Sequence, residues 1–201
     1  MQLILGDLNT YIFSKRALEI NRRSGCPRAE AYNLGNLAEY YKNLNDNHQA
    51  LELSCQALKI FQDIGDRKGE AYTLGNLAGV HMNLYNAQMA IESNEKALKI
   101  FQEIGNKRGI ANILSNMGQI YFDLDQPKVA INYLEQALDI SRDICDKRAE
   151  GINLLNMSRS LDKLGQREKA IDHARNALII FEQIESPTAE TVRRKLAEWG
   201  S

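Results

Sequence analysis

The chain has 201 residues, 44% of them hydrophobic and 25% charged, with a formal net charge of −1. That supplies enough apolar side chain for a continuous core, and too little positive charge for general nucleic-acid binding, which shows a basic excess or stripe. Cys26, Cys55 and Cys145 are odd in number and follow no metal-ligand spacing, so they read as small, buried or half-exposed thiols in a reducing compartment.

Residues 1–5 are apolar, but Asp7 follows them and no basic segment precedes them, which does not make a secretion signal. No apolar run approaches the roughly 20 residues of a membrane helix. A cytoplasmic location is expected, with no membrane, nucleic-acid, metal or cofactor partner.

The first element, residues 8–25, aligns with the second helix of a later unit: Ile20 matches Ile60 and Gly25 matches Gly65. No first helix precedes it. The chain therefore starts in mid-repeat, as a piece of a longer array or with a lone helix covering the first complete unit; the former is the expectation.

Four units follow at 26–65, 66–105, 106–145 and 146–185. Leu34-Gly35-Asn36-Leu37 returns every 40 residues, as Leu74-Gly75-Asn76-Leu77, Leu114-Ser115-Asn116-Met117 and Leu154-Leu155-Asn156-Met157. Residues 31–70 and 71–110 agree at 20 of 40 positions. Self-similarity at such a period marks a stacked array. Each unit holds two apolar patterns at helical spacing, helix A (Leu34, Leu37, Ala38, Tyr41, Leu44) and helix B (Ala50, Leu51, Ala57, Leu58, Phe61, Ile64).

Gly25, Gly65 and Gly105 lie just past a helix B, where a left-handed residue closes a helix. Cys145 and Glu185 replace that glycine, so turns of different geometry are expected there. Asp66, Asn106 and Asp146 are placed to cap the next helix A. Pro27, Pro127 and Pro187 fall at first turns. Small residues form columns: Ala38, Ala78, Gly118 and Ser158 on helix A, and Ala50 and Ala57 with their copies on helix B. Residues 186–201 form the last element, where Leu196 replaces the column asparagine and Arg193, Arg194, Lys195 and Glu198 leave a charged outer face, as on a terminal cap.

The pattern Ala31-x-x-Leu34-x-x-Leu37-Ala38-x-x-Tyr41, then Ala50, Ala57 and Leu58, resembles the tetratricopeptide repeat. Its usual period is about 34. The longer unit is similar to the subclass in kinesin light chain and in Leu-Gly-Asn repeat adaptors, and to arrays at the C-terminus of bacterial signalling ATPases. The resemblance implies an all-α, right-handed superhelix (an α-solenoid) of antiparallel helix pairs with a C-terminal capping helix, a single array over 1–201. His81 and Leu161 depart from the Tyr41 and Tyr121 column. Ser54, Asn94, Leu134 and Ala174 stand where the family often has an aromatic residue.

In the family, helix A lines the concave face. One helical stripe there carries Arg28, Tyr32, Gly35 and Asn36; then Lys68, Tyr72, Gly75, Asn76 and Gly79; then Arg108, Asn112, Ser115, Asn116, Gln119 and Asp123; then Arg148, Ile152, Leu155, Asn156, Arg159 and Lys163. Asparagine offers a donor and an acceptor to a peptide backbone, and Arg or Lys beside it suits carboxylates. Peptide-binding members of the family are similar at the asparagine position. The alternative roles are structural: asparagines buried at repeat junctions, and Arg28, Lys68, Arg108 and Arg148 paired with acidic residues of the preceding turn, such as Asp66 or Asp146.

His48, His81 and His173 occupy non-equivalent sites, and no phosphate loop or catalytic constellation can be assembled. The expected function is therefore non-enzymatic: a module binding a peptide or protein segment, acidic in character, in the helix-A groove. Two other classes stay open, the sensor array of a larger signalling ATPase and a scaffold that self-assembles into a homo-oligomer through Leu8, Tyr11, Ile12 and Ile20 of the first helix.

Overall fold

A computed structural model describes residues 2–200, with side chains from Tyr11 onward. Helices α1 (Gln2–Arg23), α2 (Pro27–Asn43), α3 (Asn47–Asp63), α4 (Arg67–Asn83) and α5 (Ala87–Glu103) are followed by α6 (Lys107–Asp123), α7 (Pro127–Asp143), α8 (Lys147–Lys163), α9 (Arg167–Gln183) and α10 (Thr188–Glu198). The described residues contain no strand. The fold is all-α, and consecutive helices pair antiparallel. The chain divides into two compact units, Met1–Ile104 and Gly105–Ser201.

The helices begin where the capping chemistry places them. Asp66, Asn106 and Asp146 accept the backbone N–H of Gly69, Gly109 and Ala149 at 2.9, 2.9 and 3.1 Å. Asp46 and Asn86 cap α3 and α5 in the same way. Pro27 and Pro127 open α2 and α7. Pro187 stands one position before α10, and the Thr188 N–H donates to Ser186 Oγ at 3.3 Å. α1 starts well ahead of the expected residue 8, because Leu3, Ile4 and Leu5 are compatible with helix and nothing there breaks it. Leu8 lies outside the residues whose side chains are described.

The turns close alike at every junction. Gly65 has φ 67°, and the amides of Gly65 and Asp66 donate to the carbonyls of Gln62 and Phe61. Cys145 has φ 54°, and the amides of Cys145 and Asp146 donate to Arg142 and Ser141. Glu185 has φ 51° and the equivalent bonds. The expectation of different turns at Cys145 and Glu185 is thus corrected. Two packed helices and the last carbonyls demand this backbone, and that outweighs a left-handed penalty of roughly 1–2 kcal/mol.

In the first unit the core gathers Leu18, Ala31, Leu34, Leu37, Ala57 and Phe61. In the second it gathers Leu134, Leu138, Leu154, Met157, Ala174, Ala177, Ile180 and Phe181, closed by Ala189, Val192 and Leu196 of α10. The small columns lie at the contacts: Ala50, Ala57, Ala90 and Ala97, and in the second unit Ala130, Ala137, Ala170 and Ala177, are all fully buried. A Cβ on Gly118 would lie 2.6 Å from Leu134 Cγ. Trp199 packs on the second core, with the Arg167 guanidinium 5.0 Å and the Lys195 ammonium 5.4 Å from its ring centre.

Candidate functional site

The helix-A stripe is a surface built in two parts, α2 with α4 in the first unit and α6 with α8 in the second. In each helix, buried leucines or methionines flank the asparagine position and fix its orientation. Leu34 and Leu37 enclose Asn36, and Leu74 and Leu77 enclose Asn76. Asn36, Asn76 and Asn116 are exposed, and none has a hydrogen-bond partner among the described residues. Asn156 is half-buried and accepts from Arg159 Nη1 at 3.5 Å. Buried asparagines locking the repeat junctions are therefore not what the fold builds at the first three positions.

The basic column splits. Arg28 Nε lies 2.8 Å from Asp66 Oδ2, and Arg108 Nε lies 3.3 Å from Asp146 Oδ2. Each cation meets the N-cap carboxylate of the following repeat within its own compact unit, not of the preceding turn as expected, because the next helix A lies beside it. The Tyr32 hydroxyl and then Asp66 hold the Arg28 guanidinium above its ordinary value. Lys68 and Arg148 are exposed and have no ion pair among the described residues. The residue at the matching position ahead of Arg148, Ser186, carries no charge to offer it.

In the first unit, two aromatic residues of the stripe rest on the core. Tyr32 packs edge-on against Phe61 at 5.1 Å and Tyr72 against Phe101 at 4.9 Å between ring centres. Tyr32 keeps 46% of its surface exposed, whereas Tyr72 is half-buried. In the second unit this column carries Asn112 and Ile152, both exposed.

Further along the second-unit surface, the sequence reading missed a cluster. Phe122 lies beneath two cations, with the Arg159 guanidinium 4.6 Å and the Lys163 ammonium 4.8 Å from its ring centre. Arg159 also donates to Gln119 Oε1 at 3.3 Å, and Gln119 donates to Asp123 at 2.8 Å. Lys163 is engaged by Asp125 at 2.8 Å, while Arg159 meets no carboxylate among the described residues. The only signal was a phenylalanine where the other units have Lys42, Met82 and Asp162. Such stacking holds a cation in place without neutralising it.

No group of three or more His, Cys, Asp or Glu is placed to hold a metal ion among the described residues, and no described helix is long and apolar enough to cross a membrane.

Tetratricopeptide repeat models match residues 31–64 and 69–143, together more than half of the chain. No curated protein matches it. Among solved structures, BtubC (BKLC) from P. vanneervenii is 22% identical over 79% of this chain and 66% of its own, with a TM-score of 0.69. A putative kinesin light chain from Podosopora anserina with nearly identical TPR-like repeats is 18% identical over 86% of both chains, at 0.70. A signal transduction ATPase with a tetratricopeptide repeat sensor from Pyrococcus horikoshii is 20% identical over 86% of this chain, at 0.71; this chain spans 26% of that protein. The repeat period, the paired helices and these matches agree: the chain belongs to the tetratricopeptide repeat family.

Proposed function

We propose that the chain is a protein-interaction module whose helix-A surfaces hold an acidic segment of another protein. The observation that carries this reading is the set of exposed asparagines without partners among the described residues, Asn36, Asn76 and Asn116, together with cations that no described carboxylate neutralises, Lys68, Arg148 and Arg159. An amide with free donor and acceptor can pair with a peptide backbone. A guanidinium already held in place loses less entropy when a carboxylate arrives. Arg28 and Arg108 are spent on their own units and act as struts.

The test is an immobilised set of acidic, neutral and basic peptides, probed with the chain and with Asn116→Ala, Arg148→Glu and Arg159→Glu variants. Selective retention on acidic peptides that weakens with salt and with each charge reversal is expected. Equal retention on all peptides, or retention untouched by the reversals, would sink the reading.

The likeness to a tetratricopeptide repeat sensor of a signalling ATPase favours a second reading, in which the segment held belongs to a nucleotide-hydrolysing parent chain. A coding sequence with no nucleotide-binding domain would remove it.

A further inference from the structure

In the complete repeats, one flank of helix B is covered by helix A of its own unit. Leu53 and Ile60 of α3 pack into the cluster of Leu34 and Leu37 from α2, and Ala57 between them is fully buried. In the second unit Tyr133 of α7, at the position matching Leu53, stacks on Tyr121 of α6 with ring centres 5.3 Å apart and planes 5° from parallel. The same flank of α1 carries Phe13, Ala17 and Ile20, spaced to form one stripe. Phe13 is 67% exposed and Ile20 63% exposed.

The opposite flank of α1 is already occupied. Tyr11 stacks on Tyr40 at 4.9 Å and meets Tyr41 edge-on at 6.2 Å, and Leu18 joins the α2–α3 core. Tyr11, expected to seek a second chain, is therefore a contact within the unit, and Phe13 takes its place on the open face.

We propose that the Phe13–Ala17–Ile20 stripe is a seat for an amphipathic helix of the helix-A type, with a large, a small and an aromatic residue along one face. The antiparallel register of the other repeats sets its placement: the aromatic residue over Phe13, as Tyr121 lies over Tyr133, the small one over Ser14, as Gly118 lies against Leu134, and a leucine toward Ile20, as Ile60 packs into the cluster of Leu34 and Leu37. The outer rim of the seat carries Arg16 and Arg23, both exposed. The seat thus suits a helix with acidic residues on its edge, and disfavours a second α1, whose rim would bring like charges together.

The experiment titrates a fluorescent peptide with the sequence of Pro27–Leu44 into the intact chain and reads anisotropy. That peptide carries Leu34, Ala38 and Tyr41 on one face, and its Glu30 and Glu39 are balanced by Arg28 and Lys42, so it tests shape and register and not net charge. Saturable binding is expected. Phe13→Glu and Ile20→Glu should each weaken it by about tenfold or more, whereas Ile12→Glu, off the stripe, should not. Circular dichroism melts confirm that each variant folds; should Phe13→Glu unfold, Ile20→Glu carries the test. Because Phe13 and Ile20 lie outside the helix-A surfaces, loss of binding in their variants assigns the peptide to this seat. Absence of binding, or binding indifferent to Phe13 and Ile20, overturns the proposal. So does a dimer seen in sedimentation that Phe13→Glu dissolves while the peptide fails to bind.

Discussion

Asp66 serves two masters: its Oδ1 accepts the Gly69 N–H at 2.9 Å, capping α4, and its Oδ2 lies 2.8 Å from Nε of Arg28 in the previous helix A. The two roles differ in consequence. Losing a cap costs about 1 kcal/mol, because a helix N–H is left without a partner. The ion pair involves an exposed arginine and is screened. Asp66→Ala should therefore lower the melting temperature clearly, while Asp66→Asn and Arg28→Ala should leave it almost unchanged. Equal losses for all three would show that the pair, and not the cap, stabilises this junction.

Asn94 of α5 is fully buried, and neither its Oδ1 nor its Nδ2 has a partner. Leu134 occupies the matching place in α7, against Gly118. An unpaired buried polar group costs about 1–3 kcal/mol, more than the small void left by truncation. Asn94→Ala should raise stability by about 1 kcal/mol in urea unfolding. A loss would mean that an ordered water satisfies the amide.

The small columns should resist enlargement. Gly118→Ala forces a methyl against Leu134 at 2.6 Å and against the Ala130 carbonyl at 3.3 Å. Ala90→Leu presses a larger side chain into a fully buried site. Each is expected to cost about 1–3 kcal/mol, and unchanged thermal melts would refute the assigned packing.

Tyr85 and Cys145 hold φ of 57° and 54° at helix ends, where glycine is at no disadvantage. Tyr85 is 98% exposed, so its side chain contributes little packing in return. Tyr85→Gly and Cys145→Gly should each stabilise the chain by about 0.5–1 kcal/mol. Gly65→Ala should move the melt the other way.

Glu150 of α8 is 7% exposed and bonds Arg142 at 2.9 Å and Lys147 at 2.8 Å. Burial pushes its carboxyl up, yet the bonds from Lys147 and Arg142 hold it on balance below its ordinary value. A lowered carboxyl contributes stability that is complete above its unfolded pKa and is lost as pH falls through the folded value. The gap in melting temperature between the native chain and Glu150→Gln should be widest near neutrality and close below about pH 4. A gap that does not change with pH would show that Glu150 acts by shape alone.

Local chemistry made most of the framework readable. The 40-residue return of Leu-x-Asn, the caps at Asp66, Asn106 and Asp146, the glycines after helix B and the alanine columns all depend on neighbours within one turn of helix or one repeat. The open state of Asn36, Asn76 and Asn116 was not readable, because a helical stripe tells which residues share a face but not how deep that face lies.

Covalent order and side-chain type alone determined that this chain forms paired helices, where the helices of the complete repeats begin and end, and which residues must be small, since those demands are met within a repeat. Tertiary packing decided which charges are spent and which remain free. It set Arg28 on Asp66 and Arg108 on Asp146, left Lys68, Arg148 and Arg159 without a carboxylate among the described residues, stranded Asn94 and bared Phe13. The physical reason is that burial and pairing are set by the helix alongside, which lies many residues away in sequence.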